Sequence, residues 1–162
     1  IAGEFYKKTM RYLAYRAKRG SITLGKFSAA FALNIGINFV VYLIAILYVQ
    51  STKGVLFFKE GFLLWLSLVI YVLYFTSLGF MASSLTMKPQ RALYLGAVLF
   101  MAPLLFLLKE PLQWASPYHY YKNGFHLLLG NYQPVLSSAV ILIIFSGLFL
   151  GISYKKFQRR DL

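Results

Sequence analysis

The sequence predicts an all-α polytopic membrane protein. It has four transmembrane helices, a cytoplasmic N-terminal amphipathic helix, and a re-entrant or interfacial outer segment before the last span. Three observations predict this. First, the 162 residues are 59% hydrophobic, 19% aromatic and only 13% charged, where soluble domains carry about 25% charged residues. Too little polar surface exists to cover a globule of this size, and a mean hydropathy of +0.64 is too high for a disordered chain. Second, charge-free runs recur: 26 residues between Lys26 and Lys53, 27 over 61–87, 17 over 92–108 and 32 over 123–154. Third, the basic residues are distributed unevenly between the segments that join these runs. The chain has no cysteine, which excludes disulfides and thiolate metal sites.

A helix needs about 20 apolar residues to cross a hydrocarbon core of about 30 Å. The runs therefore give spans over about 27–49, 61–83, 91–108 and 134–154. Transmembrane strands would alternate every second residue, and LYLGAVLFMAPLLFLL over 93–108 does not. The third span is the shortest and contains Pro103. That proline removes one backbone hydrogen bond and is expected to kink the helix, leaving neighbours to satisfy the freed carbonyl.

Thirteen basic residues fall on one side of these spans, in segment 1–26, at Lys88 and Arg91, and in the tail 155–162; four fall on the other. The positive-inside rule makes the richer side cytoplasmic, with both termini there. The net charge of +13 then reflects orientation toward anionic inner-leaflet lipid, and no nucleic-acid partner is expected. A plasma-membrane location is expected. The chain opens at Ile1 on a polar, basic stretch, which suggests a larger polypeptide whose beginning is missing.

The spans contain no Asp, Glu or His and, at an end, only Arg91. Ion-coupled transport, which relies on intramembrane charge, has no ligands here. Hydrolytic chemistry lacks paired carboxylates or a HExxH pattern. The chain is therefore expected not to be an enzyme and to bind no metal or cofactor. GSITLGK over 20–26 matches the start of a phosphate-binding loop, but Phe27 stands where Ser or Thr should hold magnesium. The segment reads instead as a turn and cationic anchor. His119 and His126, without a carboxylate nearby, read as interfacial hydrogen-bonding groups.

Asn34 and Asn38 are four apart, so they share a helical face, which Ala30 continues. Buried amides need partners or water. Their two readings are helix–helix bonding and the lining of a substrate path. Ser67, Tyr71 and Tyr74 mark a similar stripe on the second span. Gly147 and Gly151, in GLFLG, suggest a close-packing face. Over 109–133, Pro111 suits the start of a short helix, and Trp114, Tyr118, Tyr120, Tyr121 and Tyr132 suit the headgroup level.

Residues 1–26 read IAGEFYKKTMRYLAYRAKRGSITLGK, with a short amphipathic helix over about 4–17. The segment resembles one in the permease subunits of type-2 ATP-binding-cassette transporters. There E-x4-T-L is followed by a Leu-rich stretch, then P-x-S-R, then G-K opening a span. Glu4 and Thr9 keep the first spacing, Met10, Tyr12 and Leu13 take the apolar part, and Arg19 with Gly25-Lys26 keeps the last; the usual Pro is absent. WASPYHYY and the ending FQRRDL resemble the family's outer segment and terminus. The resemblance covers the whole chain and matches the last four of six usual spans.

The resemblance implies a permease, and an exporter by the family's commoner direction. It would pair with a second permease half, as a homo- or heterodimer, and with a cytoplasmic ATPase subunit that binds ATP and magnesium. It also implies coupling through Glu4, Thr9, Tyr12, Leu13 and Arg19. Asn34, Asn38, Ser67 and Tyr71 are candidates for the substrate path. The alternative is a self-contained four-helix membrane scaffold or assembly factor.

Overall fold

The computed structural model describes residues 19–54, 58–86, 88–108, 113, 116–121, 126 and 133–158. The expected amphipathic helix over 4–17 lies outside them, and so do Glu4, Thr9, Tyr12 and Leu13. The described elements are all helical: α1 Arg19–Lys53, α2 Phe58–Leu85, α3 Pro89–Leu105 with a 3-10 turn Phe106–Leu108, the short α4 Pro117–Tyr121, and α5 Gln133–Gln158. Helices α1, α2 and α5 are long and apolar enough to cross a membrane; α3, at 17 residues, is a shorter apolar helix.

α1 starts earlier than the expected span. It is helical through Gly20–Lys26, where the sequence reading placed a turn. A helical GSITLGK does not take the loop conformation that a phosphate-binding loop needs. Packing explains the continuation: Ile22 and Thr23 are buried. Gly20 lies against Tyr154 of α5, where an added Cβ would sit 2.9 Å from the phenol oxygen. At its far end, Gly54 takes a positive φ of 67°, and its N–H donates to the Gln50 carbonyl at 2.9 Å. That is the left-handed cap glycine favours.

α2 is the central helix. α1 runs antiparallel to it: Phe27 meets Phe80 edge-on at 5.6 Å near one end, and Tyr42 meets Trp65 at 6.1 Å toward the other. α3 is also antiparallel, with Gly96 beside Ala82 and Phe100 beside Phe75 at 5.0 Å. α5 is parallel to α2. Ser67 shares a small cleft with Ser138 and Leu142, and Tyr74 meets Phe149 at 5.5 Å. The Gly20–Tyr154 contact puts the start of α1 and the end of α5 on the same side of the bundle.

The α2–α5 seam is the core. Tyr74, Leu78, Tyr120 and Leu142 bury one another. Around them Ser77, Ser84, Ser146 and Ser153 are fully enclosed, small enough to let two helix backbones approach closely. Three of these hydroxyls donate back to their own helix: Ser77 to Leu73, Ser84 to Met81 and Ser146 to Leu142. Ser153 Oγ is buried without a partner among the described residues. α5 continues to Gln158, so Lys155 and Lys156 form its last turn and only the residues beyond remain of the expected tail. Cations there oppose the negative end of the helix dipole, and buried Phe157 anchors the extra turn.

α3 opens on Pro89 after an extended Lys88, a proline suited to a first turn. Pro103 falls in the final turn of the helix and is followed by the 3-10 turn, so it marks an end rather than a mid-span kink. The register with α2 places Leu105 level with about Tyr71. That is 13 residues, or roughly 20 Å at 1.5 Å per residue, short of Phe58. The outer segment packs at this depth. Tyr118 lies 5.9 Å from Phe75, and Tyr120 joins the core. These two tyrosines fill the space that the short α3 leaves beside α2.

Irregular backbone packed between helices needs internal partners, and the outer segment supplies them. Ser116 Oγ donates to the Pro103 carbonyl at 2.7 Å, Gln113 Nε2 to Leu107 at 3.1 Å, and Tyr118 O–H to Phe100 at 3.4 Å.

Candidate functional site

Between α1 and α3, over the exposed side of α2, lies an open cleft of about 620 Å³. α1 contributes Ala30, Asn34 and Asn38, one residue per turn of the same face. α2 contributes Tyr71, Phe75, Thr76, Gly79 and Ser83, and α3 contributes Phe100. A second cleft of about 730 Å³ continues between α2 and α3, sharing Phe75, Gly79, Ser83 and Phe100. A third, about 570 Å³, extends along the α1–α2 seam past Asn38 and Leu68 toward Tyr42 and Trp65. Their volumes fall within the ~300–1,000 Å³ of small-molecule sites. Among the described residues, those lining the three clefts include no Asp, Glu, Lys, Arg or His.

Asn34 Nδ2 donates to Thr76 Oγ1 at 3.1 Å across the α1–α2 seam. Asn38 Nδ2 instead returns to the Asn34 carbonyl at 2.9 Å on its own helix. One asparagine thus ties two helices, and the other presents the rest of its amide to the cleft. The arrangement can hydrogen-bond an uncharged group and pack an apolar one.

The structure brings Asn34, Asn38 and Tyr71 together in this cleft. Ser67 lies apart from them on the α5 side, beside Tyr120 and Ser138, and its hydroxyl donates to Leu64 of its own helix at 2.7 Å. Gly147 and Gly151 are exposed, with nothing near an added Cβ, so they pack no helix of this chain among the described residues. Arg19 begins α1; the other coupling candidates lie outside the described residues. His119 stands in α4 and His126 beyond its end, and no cluster of three or more metal-ligating side chains occurs among the described residues. Thr76, Gly79 and Ser83 were missed from sequence. Their spacing with Val72, at four, three and four residues, was the available signal.

Long apolar helices around a groove whose described lining has no Asp, Glu, Lys, Arg or His define an integral membrane protein without a catalytic constellation among its described residues. The family model described as ABC-2 family transporter protein matches residues 1–162. The chain belongs to that family and is a type-2 ATP-binding-cassette transporter permease. No curated protein and no solved structure matches it.

Proposed function

We propose that the chain is the membrane-spanning subunit of an ATP-driven exporter and that its substrate passes along the α1–α2–α3 groove at Asn34, Asn38 and Tyr71. The observation that carries this reading is the open groove, without Asp, Glu, Lys, Arg or His among its described lining residues, in a permease-family chain. Such a path offers no ion to couple, so the work comes from a separate ATPase subunit, a partner that permeases of this family generally have. In this reading Tyr12 and Leu13 seat segment 1–18 in the ATPase, and Glu4, Thr9 and Arg19 hold polar contacts at the rim. ATP and magnesium are bound by the partner.

The chain crosses the membrane four times. The parallel course of α2 and α5 supports this, because the chain between them must return across the bundle; α3 carries it part of the way and the outer segment completes it. The cation-rich ends of α1 and α5 face the cytoplasm of the cell membrane. A second permease half packs on the open Gly147–Gly151 face. Purification from native membranes in mild detergent, followed by mass spectrometry and an ATPase assay, tests the proposal. A stoichiometric ATPase that is released by Tyr12→Ala with Leu13→Ala supports it. Reproducible purification with no ATPase, under conditions that keep other complexes intact, turns the reading to a membrane scaffold.

A further inference from the structure

α1 meets α5 at Gly20, and the contact has no slack. The ring of Tyr154 lies on the Gly20 backbone: an added Cβ would stand 2.9 Å from the phenol oxygen, 3.1 Å from Cε2 and 3.4 Å from Cζ. Gly25 and Gly36 of the same helix have open space at that position. The ring therefore fills the room that a side chain at residue 20 would take. The residues beside the contact are enclosed. Ile22 and Thr23 on α1, Ser153 and Phe157 on α5, and Ala82 and Ser84 on α2 are all buried. Farther along, α1 is tied to α2: Asn34 donates to Thr76, and Phe39 and Tyr42 meet Trp65.

Closely packed groups are nearly incompressible and transmit strain. Segment 1–18 continues directly into Arg19 and Gly20, so motion of that segment enters the described bundle at this contact. We propose that Tyr154 is a positioning residue for coupling: its ring carries motion of the α1 start into the last turns of α5. A shift of Gly20 toward α5 drives the ring, and the helix that bears it, the same way. Cε2 and Cζ keep the contact without the hydroxyl, so phenylalanine serves at this position and alanine does not. The inference deepens the coupling reading and rests on it for the source of the motion; the link itself is testable in the chain alone.

The chain has no cysteine, so spin labels go only where cysteines are introduced. Lys156→Cys on α5 and Leu24→Cys on α1, both at exposed positions, are each paired with Gln90→Cys, exposed at the start of α3. Electron–electron double resonance in nanodiscs reads the two distances. In the chain alone, Gly20→Leu is expected to shift the 156–90 distance by roughly 2–3 Å, because its side chain enters the ring's place well inside van der Waals contact. Adding Tyr154→Ala is expected to cancel that shift, and adding Tyr154→Phe to keep it. In the complex with its copurified ATPase, ATP is expected to change both distances in the native chain and in Tyr154→Phe. In Tyr154→Ala it is expected to change the 24–90 distance alone.

An unchanged 156–90 distance in Gly20→Leu shows a ring that turns aside, and overturns the proposal. So does a shift in the 24–90 distance alone, which makes α5 a stop for α1 rather than a follower. So does an ATP-driven change at position 156 that survives Tyr154→Ala. Failure of the permease reading is told apart by the ATPase measurement. A Gly20→Leu shift that Tyr154→Ala cancels, in a chain without an ATPase partner, leaves the link standing and removes its source of motion. An ATPase partner without that shift removes the link alone.

Discussion

Replacing Ser116 by alanine tests whether the outer segment holds the end of α3. Ser116 is fully buried, and its hydroxyl donates to the buried Pro103 carbonyl at 2.7 Å. Water cannot replace the lost donor there. Leaving a buried acceptor short of a partner costs about 1–3 kcal/mol. Interhelical hydrogen bonds in membrane proteins average about 0.6 and reach about 1.7 kcal/mol. A carbonyl also has a second lone pair, so the upper end of the first range does not apply. Ser116→Ala is therefore expected to destabilise by about 1–2 kcal/mol, a change of roughly 5- to 30-fold in the folded-to-unfolded ratio. Ser84→Ala is the internal comparison. It is equally buried, but its hydroxyl returns to Met81 on its own helix, so its loss should cost under about 0.5 kcal/mol. Reversible unfolding of the purified protein in mixed micelles measures both. The reasoning fails if Ser116→Ala unfolds at the same denaturant fraction as exposed Ser137→Ala.

Four further outcomes are expected. Asn34→Leu and Thr76→Val should each cost about 0.6–1.7 kcal/mol, and the double variant no more than either, in the same unfolding assay; Asn38→Leu, which breaks no interhelical bond, should cost less. Ser153→Ala should be neutral or stabilising, because it removes a buried hydroxyl that has no partner among the described residues; a loss above about 1 kcal/mol would reveal a hidden one. Gly20→Val should destabilise by about 1–3 kcal/mol, since its side chain meets the Tyr154 ring; Tyr154→Ala should relieve that cost. Gly147→Leu with Gly151→Leu should leave the stability of the single chain unchanged and reduce pairing of permease halves, read by cross-linking in membranes.

The spans were legible because charge-free runs are long and their flanking cations mark rough limits. Their true ends were not. Arg19, Lys26, Lys155 and Lys156 sit inside helices, since a helix does not stop where the hydrocarbon does. The faces were harder still. α1 is apolar all round, and such a helix has no stripe to say which side packs. Only the Asn34–Asn38 row identified a side, and it did lead to the groove. Ser67 lies on the other side of α2, beside α5. A hydroxyl can return to its own helix, so a polar residue in a span need not face a path. The packing of Tyr118 and Tyr120 against α2 was hidden because it depends on where α3 ends beside α2, a long-range fact that local composition does not carry.

The unbroken course of α1 has a mechanical consequence. At 35 residues it is a rod of roughly 52 Å, against a hydrocarbon core of about 30 Å. A hinge at GSITLGK would have absorbed any displacement of the Arg19 end. A stiff rod instead turns about its contact with α2, and a tilt of about 10° around its midpoint moves each end by roughly 4–5 Å. A push applied beneath Arg19 would then become an opposite swing at Tyr48, beside the start of α2, without any change in the helix itself.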